Sequence, residues 1–106
     1  MIPVILESPF AGDTQRNVEY ARRAMLDSLQ RHEAPFASHL LYTQHLDDEI
    51  PWQRGLGMNA GFVWYRFAHR CVAYVDYGIS SGMRQGFALA DRYGLKIEER
   101  KIGENA

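Results

Sequence analysis

Two segments of the chain combine small residues, hydroxyls and an acid in the order a ligand-binding turn requires. They are Ser8-Pro9-Phe10-Ala11-Gly12-Asp13 and Asp76-Tyr77-Gly78-Ile79-Ser80-Ser81-Gly82. Small residues leave backbone N–H groups accessible. Each segment also runs into a predicted helix, whose N-terminal end attracts anions. Ser80 and Ser81 add hydroxyls, and Gly82 permits close approach. This pattern fits a phosphate held near Ser80 to Met83, and equally a short turn closed by a serine cap. Asp76 ends a very apolar run. Its carboxylate suits a ribose hydroxyl, or an Asx turn that braces the loop.

Other reactive side chains are scattered. Of the four histidines, His32 and His69 fall near predicted helix C-termini, where a cation is favourable without further function. His39 and His45 flank Tyr42 at a spacing unlike a zinc site. His39, Tyr42 and Phe10 are candidates for the wall of a pocket. Asp47-Asp48-Glu49 reads as a cap for the helix that follows, or as a solvated loop, before it reads as a metal site. Cys71 stands alone among Val72, Ala73 and Val75, as a core thiol does. No metal and no cofactor is called for.

Positioning these segments requires a scaffold of alternating elements. Val4-Ile5-Leu6 predicts a short buried strand. A helix follows from about Thr14 to His32, with Val18, Ala21, Met25 and Leu29 on one face and Asp13 or Thr14 as N-cap. Residues 35–43 read as extended or mixed. A second helix starts near Pro51, with Trp52, Leu56, Ala60, Val63 and Phe67 as its stripe. Cys71 to Asp76 is the clearest strand. A third helix runs from about Met83 to Tyr93, with Met83, Phe87 and Ala90 inward and Gly94 as its stop. Leu95 to Glu98 is a last strand, and the tail from Arg100 is expected to be loose. The order β-α-β-α-β-α-β predicts an α/β fold of about four parallel strands with helices on both faces, in one domain over residues 1–106.

Composition narrows the function. The chain has 106 residues, 46% of them apolar, and a formal charge of -1. That balance gives no reason to expect binding to DNA, RNA or an anionic membrane. Arg outnumbers Lys ten to two, which suits forked recognition of phosphate or carboxylate. The start lacks the basic and apolar regions of a signal peptide, and no apolar run approaches ~20 residues, so a cytoplasmic location is expected. Trp52, Phe62, Trp64, Tyr65 and Phe67 span more than one face of their helix. One face should pack on the sheet and the other on a second subunit, which predicts a homodimer or larger assembly through residues 51–69.

Three segments together resemble a small domain family common in bacteriophage genomes and related to nucleoside 2-deoxyribosyltransferases. They are Glu7 to Gly12, Ala37-Ser38-His39-Leu40-Leu41-Tyr42-Thr43-Gln44, and Asp76 to Met83. The resemblance implies a flavodoxin-like fold and action on the N-glycosidic bonds of nucleosides or nucleotides. It also implies a glutamate nucleophile at the start of the last helix, within a pattern like Gly-Met-Glu-x-Gly-Tyr-Ala-Leu. Here that run is Gly82-Met83-Arg84-Gln85-Gly86-Phe87-Ala88-Leu89, which puts Arg84 at the nucleophile's position. A guanidinium repels developing positive charge and suits phosphate instead. The expected ligand set is therefore Ser8, Pro9, Gly12, Asp13, Asp76, Gly78, Ser80, Ser81, Gly82, Met83 and Arg84. The leading expectation is a nucleotide binder without normal glycosidase chemistry, in a phage setting one that sequesters a host defence messenger. The alternatives are an N-glycoside hydrolase or transferase with a relocated acid, among Asp13, Asp47, Asp48 and Asp76, and a phage module that docks on protein through residues 52–67.

Overall fold

A computed structural model describes residues 1–103. Strand β1 spans Ile2–Glu7, helix α1 Thr14–Gln30, β2 Glu33–Phe36 and the short helix α2 Ser38–Leu41. Helix α3 follows at Pro51–Val63, then β3 at Arg70–Tyr74, α4 at Ser81–Arg92 and β4 at Lys96–Arg100. Single 3-10 turns follow α2 at Tyr42–Gln44 and α3 at Trp64–Phe67.

The strands form one parallel sheet in the order β2-β1-β3-β4. Alternate residues of a strand face opposite sides. Val4, Leu6, Val72 and Tyr74 accordingly pack under Tyr20 and Ala24 of α1. Ile5 and Cys71 pack on the other side, against Tyr65 and Ala90. The result is the expected three-layer, flavodoxin-like α/β domain. β1 and β3 are apolar on both faces because both are covered. β2 lies at the edge, where Pro35 can lack its N–H without breaking a ladder. From β1 the chain first adds β2 on one side, then returns to place β3 on the other. Ligands in such sheets bind beyond the carboxyl ends of the strands at this reversal.

Local chemistry sets the helix ends. The Asp13 carboxylate accepts the Arg16 backbone N–H at 3.2 Å and caps α1. Ser80 caps α4, its hydroxyl accepting the Met83 N–H at 3.2 Å. His32 closes α1 in the left-handed conformation, with φ of 61°.

Four expectations need correction. The buried face of α1 is Asn17, Tyr20, Ala21, Ala24 and Ser28, whereas Leu29 is exposed. Polar residues occupy that face because each has a partner: Asn17 donates to the carbonyls of Phe10 and Ala11, and Ser28 donates to Glu33. The stripe read on α3 faces outward, with Trp52 68%, Leu56 56% and Phe67 63% exposed. Its inner side is instead Gly61 and Phe62, continued by Tyr65. Residues 38–44 are helical rather than extended, since Gly61 lets α3 press directly on Ser38. The tail is tied down through residue 103. Arg100 is buried in β4, Ile102 packs on the α1-side core, and both Ile102 and Gly103 donate backbone N–H groups to Asp76. Residues 104–106 of that tail lie outside the described residues. No helix among the described residues is long and apolar enough to cross a membrane.

Candidate functional site

The loops that leave β1 and β3 do converge. Together with α2, α3 and the first turn of α4 they enclose a cavity of about 130 Å³. Eight of the expected residues line it: Ser8, Phe10, His39, Tyr42, Ser80, Ser81, Gly82 and Met83. Six do not. Pro9 is buried beside it. Gly12 and Gly78 are exposed turn glycines with φ of 98° and 85°. Asp13 is spent as the cap of α1. Arg84 is exposed on α4 and forms no part of the cavity wall, so a guanidinium does not take the place of the attacking acid.

Asp76 is the sixth, and its surroundings explain why. It accepts the Tyr20 hydroxyl at 2.5 Å, the Ile102 N–H at 2.9 Å and the Gly103 N–H at 3.0 Å. Burial alone would raise its pKa. The hydrogen bonds from Tyr20, Ile102 and Gly103 outweigh that and hold the carboxyl below its ordinary value. Asp76 is thus a latch between α1, β3 and the end of the chain. Asp76→Ala is expected to cost about 1.5–3 kcal/mol, the range for a hydrogen bond to a charged group. Urea unfolding checks this, and a loss of under ~0.5 kcal/mol would contradict the latch.

Two acids line the cavity: Asp48, which pairs with Arg54, and Glu7, which is absent from the expected ligand set. Glu7, the last residue of β1, accepts a hydrogen bond from the Tyr65 hydroxyl. Burial raises the Glu7 carboxyl to about 7, and the Tyr65 hydrogen bond opposes only part of that rise. Gly86 of α4 leaves the space in which the pair sits. A Cβ there would come within 2.5 Å of Glu7 Oε1 and 2.6 Å of Tyr65 Oη. A carboxylate poised near neutral pH in a cleft of this kind can act as a nucleophile or general base when ionised, and as an acid when not.

Two further polar groups complete the wall. His39 Nε2 lies 2.6 Å from Ser8 Oγ. Burial lowers the imidazole to about 4, so it is neutral at physiological pH. Asp48, expected as a helix cap, loop charge or relocated acid, lines the cavity and pairs with Arg54 at 2.8 Å. Asp47 and Glu49 are turned to local structure: the Asp47 side chain accepts the Glu49 N–H at 3.0 Å. Met58 and Phe62 of α3 supply apolar surface. Met58 and Arg54 carry no motif, and only the inward phase of α3 reveals them, while Tyr65, in the 3-10 turn after α3, was expected only to pack. Glu7 did carry a signal: an acid closing an apolar strand, the same one that drew attention to Asp76.

These features define a small parallel α/β domain whose cavity, lined by both apolar and charged groups, lies at the reversal point of its sheet. The chain belongs to the domain of unknown function family DUF7768, whose model matches residues 2–100. No curated protein and no solved structure matches it.

Proposed function

We propose that the cavity binds the N-glycosidic part of a nucleoside or nucleotide and that Glu7 acts on its glycosidic bond. The observation that carries this is the Glu7 carboxyl itself, enclosed, touching Tyr65 and held near neutrality. The resemblance to deoxyribosyltransferase-like proteins expects an acid reaching inward from the start of α4. Here Glu7 approaches the same region of α4 from β1, against the bare backbone of Gly86. The acid is relocated rather than lost. Ionised Glu7 attacks the anomeric carbon, the base departs with its electron pair and takes a proton from water, and a second water then hydrolyses the glycosyl ester, returning a proton to solvent and restoring the carboxylate. Ser80, Ser81 and Gly82, at the N-terminus of α4, suit a phosphate or sugar oxygen of the same ligand.

Incubation with a panel of ribo- and deoxyribonucleosides and their 5′-monophosphates tests this, read as free base by chromatography. Base release that Glu7→Gln removes supports the assignment. Thermal stabilisation by nucleotides without any base release supports the simpler reading, capture of a nucleotide-derived messenger in the cytoplasm of a phage host. Neither effect would remove both.

The outward side of α3 is the self-association face in this account. Trp52, Leu56, Val63 and Phe67 form an exposed apolar stripe, more than a monomer usually leaves on one helix. A second copy meeting it across a two-fold axis buries it symmetrically. Light scattering on the eluting protein is expected to give a dimer or larger species. Leu56→Glu with Phe67→Glu is expected to give a monomer of unchanged secondary structure. A monomeric unaltered chain at micromolar concentration would refute the face.

A further inference from the structure

The cavity holds a second reactive constellation that glycosidic chemistry does not use. Ser8 Oγ and His39 Nε2 are 2.6 Å apart, the separation of a nucleophile and its base. Ser8 is 5% exposed and follows directly on β1, so its backbone is fixed by the sheet. His39 is fixed by its own backbone. Thr43 Oγ1 donates to the His39 carbonyl at 2.6 Å, and Gly61 of α3 packs so tightly on Ser38 that a Cβ there would lie 2.7 Å from the Ser38 Cβ. Ser81 and Gly82, the first two residues of α4, line the same cavity. The N–H groups of a helix's first turn have no acceptor inside the helix. The Met83 N–H is taken by the Ser80 hydroxyl, so the N–H groups of Ser81 and Gly82 are the donors of this turn able to hold an oxyanion. Pro9, which follows Ser8, has no N–H to contribute.

We infer that Ser8 and His39 form a nucleophile–base pair able to take an acyl group from a small carboxylic ester. With the proton of His39 on Nδ1, Nε2 accepts the Ser8 hydroxyl. Ser8 Oγ bonds to the acyl carbon as its proton passes to Nε2. The ester C–O bond then breaks, and the alcohol leaves with that proton. Water repeats the sequence on the acyl-serine, releasing a carboxylic acid and restoring Ser8. The net reaction is ester plus water to acid plus alcohol, with no redox change and no further reactant. Glu7 has no part in it, so labelling of Ser8 and release of nucleobase succeed or fail separately.

The test is to treat the full chain with a fluorophosphonate probe and with p-nitrophenyl acetate, and to locate adducts by intact mass and peptide mapping. A single adduct on Ser8, absent in Ser8→Ala and formed about 100-fold more slowly in His39→Asn, is the expected result. The unaltered protein gives a reading that needs no variant to fold. Burial keeps the His39 imidazole unprotonated down to about pH 4. Glu7 lines the same cavity and titrates near 7, so the pH profile is read in Glu7→Gln, where the labelling rate should hold level from pH 8 to about 5 and fall only below that. No adduct at saturating probe, an adduct on another residue, or in Glu7→Gln a rate that drops as pH falls through 7 would each overturn the assignment.

Discussion

Glu7→Gln is expected to reduce base release by about 10³-fold or more while making the protein more stable at pH 8. Both effects follow from one buried carboxyl. Its pKa is raised from 4.5 to about 7, chiefly by desolvation. An acid whose folded-state pKa is raised prefers to keep its proton in the folded state. Stability therefore falls as pH rises from about 4.5 to 7, and above 7 the whole cost is present. A shift of that size corresponds to up to about 3 kcal/mol. Glutamine carries no such charge, so the variant escapes the cost at pH 8 and gains nothing at pH 4. Unfolding curves at the two pH values check this directly.

The rate has its own pH signature. Attack needs the carboxylate, so base release by the unaltered chain should climb with pH and level off above about 7. Tyr65 donates to the ionised form and holds the pKa down. Tyr65→Phe should move the rising limb to higher pH, where a purely structural tyrosine would lower the rate at all pH values alike. An equal pH profile for the two proteins would remove Tyr65 from the mechanism. Unchanged base release by Glu7→Gln would remove Glu7.

The layout of the sheet was legible because it depends on bulk apolar patterning. Val4-Ile5-Leu6 and Cys71 to Tyr74 are short apolar runs of the kind a covered parallel strand needs, and the alternation of elements then fixes direction and crossover. The place of the site was legible for the same reason, since the reversal of strand order identifies the two loops that matter. What failed were choices that depend on side-chain partners. Asn17 and Ser28 look like solvent-facing residues until the Phe10 carbonyl and the Glu33 carboxylate are beside them. Asp76 and Glu7 both close apolar strands, and nothing local says which faces the cavity. Residues 102 and 103 decide: Ile102 and Gly103 engage Asp76, whereas Glu7 lines the cavity. On α3 the most apolar residues are the exposed ones, so periodicity alone selects the outward face.

That same end of the chain carries the largest stability prediction. Arg100 and Glu33, each with a side chain 5% exposed, form a two-pronged pair with distances of 2.8 and 2.7 Å. Arg100 also donates to Tyr74 at 3.1 Å and to Glu98, while Ser28 donates to Glu33 at 2.8 Å. Residues 67 apart in sequence are thereby joined beneath α1. Removing one partner of a buried pair strands the other, at a cost of about 3–5 kcal/mol. For a domain of this size, Arg100→Met should lower the melting temperature by at least ~12 °C. The Arg100 hydrogen bond holds the Glu33 carboxyl below its ordinary value. It therefore adds stability above the unfolded-state pKa near 4.5, which is lost as pH falls through the lower folded value. In Arg100→Met the buried carboxyl keeps only the Ser28 hydroxyl and the longer contact to the half-exposed Arg70 at 3.9 Å, so it holds its proton more readily and the variant recovers relative stability in acid. The difference between the two proteins should narrow from pH 7 toward pH 4. Glu33→Met added to Arg100→Met should restore much of the loss at pH 7, because no buried charge then remains unpaired. A constant difference across pH, or fully additive single losses, would show that packing of the two side chains, and not their pairing, holds the end of β4 against α1.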